Sequence, residues 1–138
     1  MVGESNLEKL LRDLNPDLNA GEYVFCTLDT QENPVNLEPL SWFHEREGVT
    51  VILPRVQADE LKLPYSFVGA WITLNIHSSL EAIGLTAAVS QALTHAGISC
   101  NIIAAFYHDH IFVPIKDADY AMEILQGLTR NNLFTPVS

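Results

Sequence analysis

Residues Ile72 to Ile115 read ITLNIHSSLEAIGLTAAVSQALTHAGISCNIIAAFYHDHIFVPI, and this stretch decides the fold. Ala70, Ile72, Leu74 and Ile76 alternate with Trp71, Thr73 and Asn75, the period of two that gives a strand one apolar face, and the strand ends near His77. The period then changes. From Ile83 to Ala96, Leu85, Ala88, Val89, Ala92, Leu93 and Ala96 recur at helical spacing. Ser78 with Glu81 three residues later matches a capping box, and Gly97 is a helix stop. The alanines let this helix lie close against a sheet. Ile98 to Phe106 and Ile111 to Ile115 are apolar strands around a polar turn, Tyr107-His108-Asp109-His110, and Pro114 places the second strand at an edge or at its own end.

Working outward, Asp117 precedes Ala118, Ala121, Met122, Leu125 and Leu128, a helix of about three turns, and Asn131 to Val137 offers a last short strand. The order is β-α-β-β-α-β, the split βαβ or ferredoxin-like arrangement, in which one antiparallel sheet carries two helices on one face. The first half reads as a worn copy. Glu22 to Leu28 (EYVFCTL) is a strand released by Gly21, Leu40 to Glu45 and Val49 to Leu53 form a hairpin with Gly48 in its turn, and Val56, Ala58 and Leu61 mark a short helix after Pro54. The loop Gln31 to Pro39 stands where the first helix of that order would be. Ahead of it, Leu7, Leu10, Leu11 and Leu14 form an amphipathic helix, capped by Ser5 and stopped by Pro16. The fold expected is α+β, two tandem ferredoxin-like units with antiparallel sheets and helices on one face. Residues 1–64 hold the amino-terminal helix and the degenerate unit, and 65–138 the second unit. No word is repeated between the halves, so the duplication rests on element order alone.

Composition bounds the function. The 138 residues are 48% hydrophobic and 17% charged, the balance of a packed domain rather than a disordered chain. Seven basic against 17 acidic residues give a net charge of −10, which leaves no surface to neutralise a row of phosphates, so nucleic acid is not expected as a partner. No segment has the roughly 20 consecutive apolar residues of a membrane-spanning helix. The start, MVGESNLEKLLRDL, has no apolar run behind a basic end, so no signal peptide is read there and the cytoplasm is the expected location. Cys26 and Cys100 lack a CxxC partner and read as small buried hydrophobes, with no disulfide or zinc framework.

The chemistry-bearing residues gather around the second unit. His77, His108 and His110 with Asp109 supply donors that zinc or nickel uses, but no HExxH or paired CxxC accompanies them, and the competing reading is a polar turn. Ser78 or Ser79 beside His77 suggests a nucleophile and base, yet no GxSxG elbow is present and helix capping explains the serines. No glycine-rich phosphate loop follows a strand. Catalysis and a cofactor are therefore not expected. Binding has a clearer basis, because His77 to Leu85 leads into a helix amino terminus whose free N–H groups and dipole favour a carboxylate, and Gly84 allows close approach. Asn101 and Asp109 are placed to accept hydrogen bonds from an ammonium group, against the plainer readings of a sheet-edge residue and an Asx turn. Trp71, on the mixed strand face, belongs either to an association surface or against the amino-terminal helix.

The segment Ile72 to Ile115 resembles the ACT domain, and in particular a bacterial branch with two ACT-like units in tandem. Gly84-Leu85 matches the glycine-leucine that opens the first ACT helix, and His95-Ala96-Gly97-Ile98-Ser99-Cys100-Asn101 resembles the passage into the second strand. Gly21 to Leu53 is similar to the same branch, so the resemblance covers about residues 15 to 130. It implies a sensor of small molecules, most often amino acids, held where two units meet near the first strand-helix loop. The contacts so implied are His77, Ser78, Ser79, Gly84, Leu85 and Asn101, with Tyr107, His108, Asp109 and His110 as neighbours. The loop HSSLEAIGL is longer than the usual aspartate-x-proline-glycine form. The resemblance further implies a homo-oligomer and a regulated partner on another chain. The alternatives are a structural or protein-interaction domain with a degenerate pocket, and a metal-binding protein using His77, His108 and His110. Gly84→Val is expected to block the ligand and leave the fold intact.

Overall fold

Pro54 and Pro114 end two strands that have the same alternation of buried and half-buried residues, and the molecule is organised around that repetition. In the computed structural model, residues 6–29, 37–76 and 79–131 are described. Strand β4 (Val49–Pro54) lies between β2 (Tyr23–Leu28) and β3 (Ser41–His44), and β7 (Asp109–Pro114) lies between β5 (Val68–Leu74) and β6 (Asn101–Ala104). The registers coincide. Tyr23 faces Pro54 as Gly69 faces Pro114, and Ser41 faces Ile52 as Asn101 faces Phe112.

The two three-stranded halves join through a short antiparallel contact, Tyr23 with Gly69 and Val24 with Val68, giving one seven-stranded sheet in the order β3-β4-β2-β5-β7-β6. The two sheets expected from the sequence are thus fused edge to edge. The remaining edge of β5 is taken by β1 (Pro16–Leu18), with Leu18 opposite Ile72. Pro16, read as a helix stop, opens this strand; its fixed φ suits a strand's first residue.

All four helices pack on one face. Val24, Cys26, Leu28, Val51 and Leu53 are buried with Ala58 of α2 (Arg55–Glu60). Ala70, Ile72, Leu74, Ile111 and Val113 are buried with α1 (Leu7–Arg12), α3 (Leu85–His95) and α4 (Ala118–Asn131). Helix α1 therefore stands over the second half, because it leads directly into β1 on the edge of β5. Among the described residues no helix is long and apolar enough to cross a membrane.

Several local expectations change. Asn6 caps α1 by accepting a hydrogen bond from the Lys9 N–H at 3.1 Å, whereas Ser5 lies outside the described residues. Helix α3 begins at Leu85 after Gly84, whose φ of 97° is a left-handed conformation, and no side chain caps it. Ser79 instead accepts from the Glu81 N–H at 3.1 Å, a local turn in place of the capping box, and Ser78 lies outside the described residues. The β6-β7 turn is Ala105 to His108, closed by the Ala105 N–H on the His108 carbonyl at 3.1 Å. Asp109 and His110 are consequently strand residues rather than turn residues. Pro114 ends β7 in the sheet interior, not at an edge. Part of the loop expected over Gln31 to Pro39, and the strand expected after Asn131, fall outside the described residues.

Among the described residues the opposite sheet face carries no helix and is covered by its own aromatic rings. Phe25 meets Phe67 and Phe112 edge-on at 5.9 and 5.5 Å between centroids. Trp71 meets Tyr23 edge-on at 5.3 Å and stacks on Phe112 at 6.5 Å. These are favoured aromatic geometries, and they leave Phe112 only 2% exposed. Trp71 accordingly packs on the face away from α1.

Candidate functional site

Successive residues of a strand point to opposite faces, so Asp109 and His110 look into different places. Asp109 faces the helices. It lies opposite Leu74 and Ala104, at the end of the sheet where β5 turns toward α3. There it lines a small cavity of about 50 Å³ with Ser79, Leu80, Ala82, Leu85, Thr86 and Ala104. The residue is 6% exposed, one of two buried polar residues among those described. Burial pushes its carboxyl above the ordinary value of 3.8, and the neighbouring His108 opposes that rise.

The internal repetition shows that the fold does not require this carboxylate. In the register that superposes Pro114 on Pro54, Asp109 takes the position of Val49, which faces Leu28 as Asp109 faces Leu74. Val49 is a buried apolar residue in the first core. Burying a carboxylate carries a desolvation cost that Val49 does not, so the two halves differ here in charge as well as in shape.

The other sequence-derived residues divide. Ser79 and Leu85 share the Asp109 cavity. Gly84 adjoins it as the residue before α3, but a Cβ there would lie 3.1 Å from Leu7 Cδ2, so Gly84 also serves the packing of α1. Its replacement by valine is therefore not neutral to the fold. His77 and Ser78 lie outside the described residues. Asn101 is exposed at the far end of β6, opposite Phe112, and does not reach the cavity. Tyr107 is exposed in the turn, with Phe106 edge-on at 5.0 Å. His108 holds a buried Nδ1 with no hydrogen bond. His108 and His110 rings are 6.5 Å apart, and among the described residues no group of three metal-ligating side chains is assembled.

His110 faces the helix-free side. Its Nδ1 accepts a hydrogen bond from Trp71 Nε1 at 3.0 Å, and Thr73 Oγ1 lies 3.3 Å from the same nitrogen. Burial and the nearby His108 hold its pKa below the ordinary 6.5. With Trp71 and Phe112 it lines a half-open cavity of about 230 Å³, whose other walls are Leu40, Ser41, Ile52, Ile103 and Ala105. Leu40, Ser41 and Ile52 come from the first half and the rest from the second, so the sheet curls enough to bring both edge strands, β3 and β6, to one cavity. Of these residues sequence reasoning singles out only His110 and Trp71, and assigns neither to a cavity. The available signal was that VTVIL and IFVPI are apolar at consecutive positions, the mark of strands covered on both faces. A wider groove of about 470 Å³ runs along Phe25, Thr27, Thr50 and Pro64 to Ser66 and opens broadly to solvent.

The sequence matches the ACT domain over residues 2–70, and again over residues 66–127. The chain belongs to the ACT domain family. This tandem ACT protein is similar to a crystal structure from Vibrio cholerae described as a protein of unknown function and possible transport protein. That protein is 42% identical, at a TM-score of 0.79 over 89% of this chain and 95% of that one. An Agobacterium tumefaciens structure shares 16% identity, at a TM-score of 0.63 over 83% of this chain and 87% of that one. The ligand-free regulatory subunit of aspartate kinase from Thermus thermophilus shares 9% identity, at a TM-score of 0.63 over 84% of this chain and 97% of its own. At that identity the likeness concerns the fold. No curated protein matches the chain. ACT domains are regulatory modules that bind small molecules, and both ACT matches include β5 residues, where the two halves of the sheet join.

Proposed function

We propose that this tandem ACT protein is a regulatory module that binds an amino acid at the junction of β5 and α3 and has no catalytic activity of its own. The observation that carries the reading is Asp109, a buried carboxylate standing where the first half has Val49. A ligand ammonium beside it offsets the desolvation that raises the carboxyl pKa. The free N–H groups that open α3 receive the ligand carboxylate, with Ser79, Gly84 and Leu85 around it.

A cavity of about 50 Å³ accommodates the ammonium head and not a whole amino acid. The ligand side chain then rests over Leu80, which lines the cavity and is 66% exposed. The seam with β2 lies at Val68 and Gly69, the other end of β5 from Leu74 and Asp109, so a ligand here acts on it only through the strand. Regulation of a partner chain requires that the ligand favour one arrangement by about 1 to 3 kcal/mol. Among the described residues β3 and β6 are the outer strands of the sheet, and their edges offer places for a second copy or for that partner. The division into units is placed near residue 65, before β5.

A thermal-shift screen of untagged protein against the twenty amino acids tests the reading. Ligand at a hundredfold excess over its dissociation constant adds about 2.7 kcal/mol, a shift of several degrees for a domain this size. A shift confined to one chemical class of amino acid supports the reading. No shift with any of them assigns the chain to protein interaction alone.

A further inference from the structure

We propose that the cavity on the helix-free face is a second binding site, separate from the β5-α3 site, for a small uncharged ring compound bearing a hydrogen-bond acceptor. An apolar cavity of about 150 Å³ admits benzene. At about 230 Å³ this one has room for a single ring with a polar substituent. Its walls are the apolar surfaces of Leu40, Ile52, Trp71, Ile103 and Phe112, and no Asp, Glu, Lys or Arg lines it. A charged compound entering there loses its hydration and meets no counter-charge.

The polar element is built and oriented. An indole N–H can only donate, so the 3.0 Å contact from Trp71 requires that His110 Nδ1 carry no proton. The Thr73 hydroxyl beside that nitrogen accepts from Asn19 Nδ2 at 2.9 Å, and the same Asn19 amide donates to the Trp71 carbonyl at 3.1 Å. Both Trp71 and Thr73 are thereby held, and the imidazole proton resides on Nε2. Burial, which disfavours the imidazolium, acts in the same direction. His110 thus presents a fixed N–H donor, with the Ser41 side chain as the other polar group, in a cavity with mostly apolar walls, the pattern of a small-molecule site.

The repetition again separates fold from function. In the shared register Trp71 replaces Phe25 and His110 replaces Thr50, so the first half keeps its sheet without the Trp-His pair. Both halves contribute walls, and an occupant therefore touches each of them. The site is independent of Asp109, which faces the other side of β7.

Benzamide is a suitable probe, with benzoate and benzylammonium as its charged counterparts. The chain has two tryptophans, so Trp42→Phe leaves Trp71 as the sole indole emitter. Benzamide should change that emission saturably, and benzoate and benzylammonium should bind at least tenfold more weakly. Ser41→Phe and Ala105→Phe, from opposite walls, should each weaken benzamide at least tenfold in folded protein, and Asp109→Asn should leave it unchanged. In wild-type protein, nitrogen-15 spectra should show His110 protonated at Nε2, with benzamide shifting its signals and those of the Trp71 indole. A non-saturable response, equal binding of all three probes, unshifted His110 and Trp71 signals, or loss of benzamide binding in Asp109→Asn would overturn the proposal.

Discussion

Tyr23 and Gly69 face each other across the seam of the sheet, and each is the other's counterpart in the internal repeat. A residue paired with its own equivalent lies on a local twofold axis, so the two halves are related as the subunits of a symmetric dimer would be, within one chain. The departures from that symmetry are informative. Asp109 for Val49, His110 for Thr50 and Trp71 for Phe25 all fall in the second half, and all line cavities.

Gly69 is needed at the seam for space. A Cβ there would lie 2.7 Å from the Phe67 ring and 3.4 Å from the Val113 carbonyl. Gly69→Ala should destabilise the protein by about 1 to 3 kcal/mol, seen as a lowered Tm. Phe67→Leu in the same chain should recover part of the loss, and the double-mutant cycle measures the coupling.

Gly84 adopts φ 97° immediately before α3, with Leu7 of α1 against it. Gly84→Ala and Gly84→Val should each cost about 1 to 3 kcal/mol from left-handed strain, with the valine variant worse because it also displaces Leu7. Denaturant titration of both, with Gly84→Asn as the milder replacement, checks the order.

Asp109→Val copies the first half. It removes a carboxylate that burial desolvates, so stability at neutral pH should hold or rise while ligand binding is lost. The pH profile separates the two proteins. In wild type the folded carboxyl holds its proton above 3.8, so the associated stability is present below that value and declines as pH rises through the raised folded pKa. Asp109→Val should lack this decline in urea unfolding measured from pH 3 upward.

His110 gives the opposite slope. Its folded pKa is depressed, so the unfolded chain takes up a proton first, and stability falls as pH drops from 6.5 toward the folded value. Protonation would also set two N–H groups, those of Nδ1 and Trp71, against each other. His110→Gln should flatten the slope between about pH 6.5 and 5.

The element order was legible because hydrophobic period changes sharply at His77 and Gly97, and because Pro54 and Pro114 end apolar runs. β1 was missed since three residues, Pro16 to Leu18, carry no period of their own and become a strand only against β5. Asp109 was read as a turn residue because YHDH looks uniformly polar. Aligning Pro114 with Pro54 would have set Asp109, Ile111 and Val113 beside Val49, Val51 and Leu53 and revealed an inward carboxylate. The helix-free cavity was out of reach, since its walls come from both edges of the sheet and meet only through its curl.

Calorimetric titration of the amino acid giving the largest thermal shift, set beside its N-acetyl derivative, probes the ammonium contact at Asp109. Binding by wild type should fall at least tenfold on N-acetylation, and Asp109→Asn should bind both forms weakly and alike. Equal affinity of wild type for the free and acetylated forms, or undiminished affinity in Asp109→Asn, would contradict the assignment.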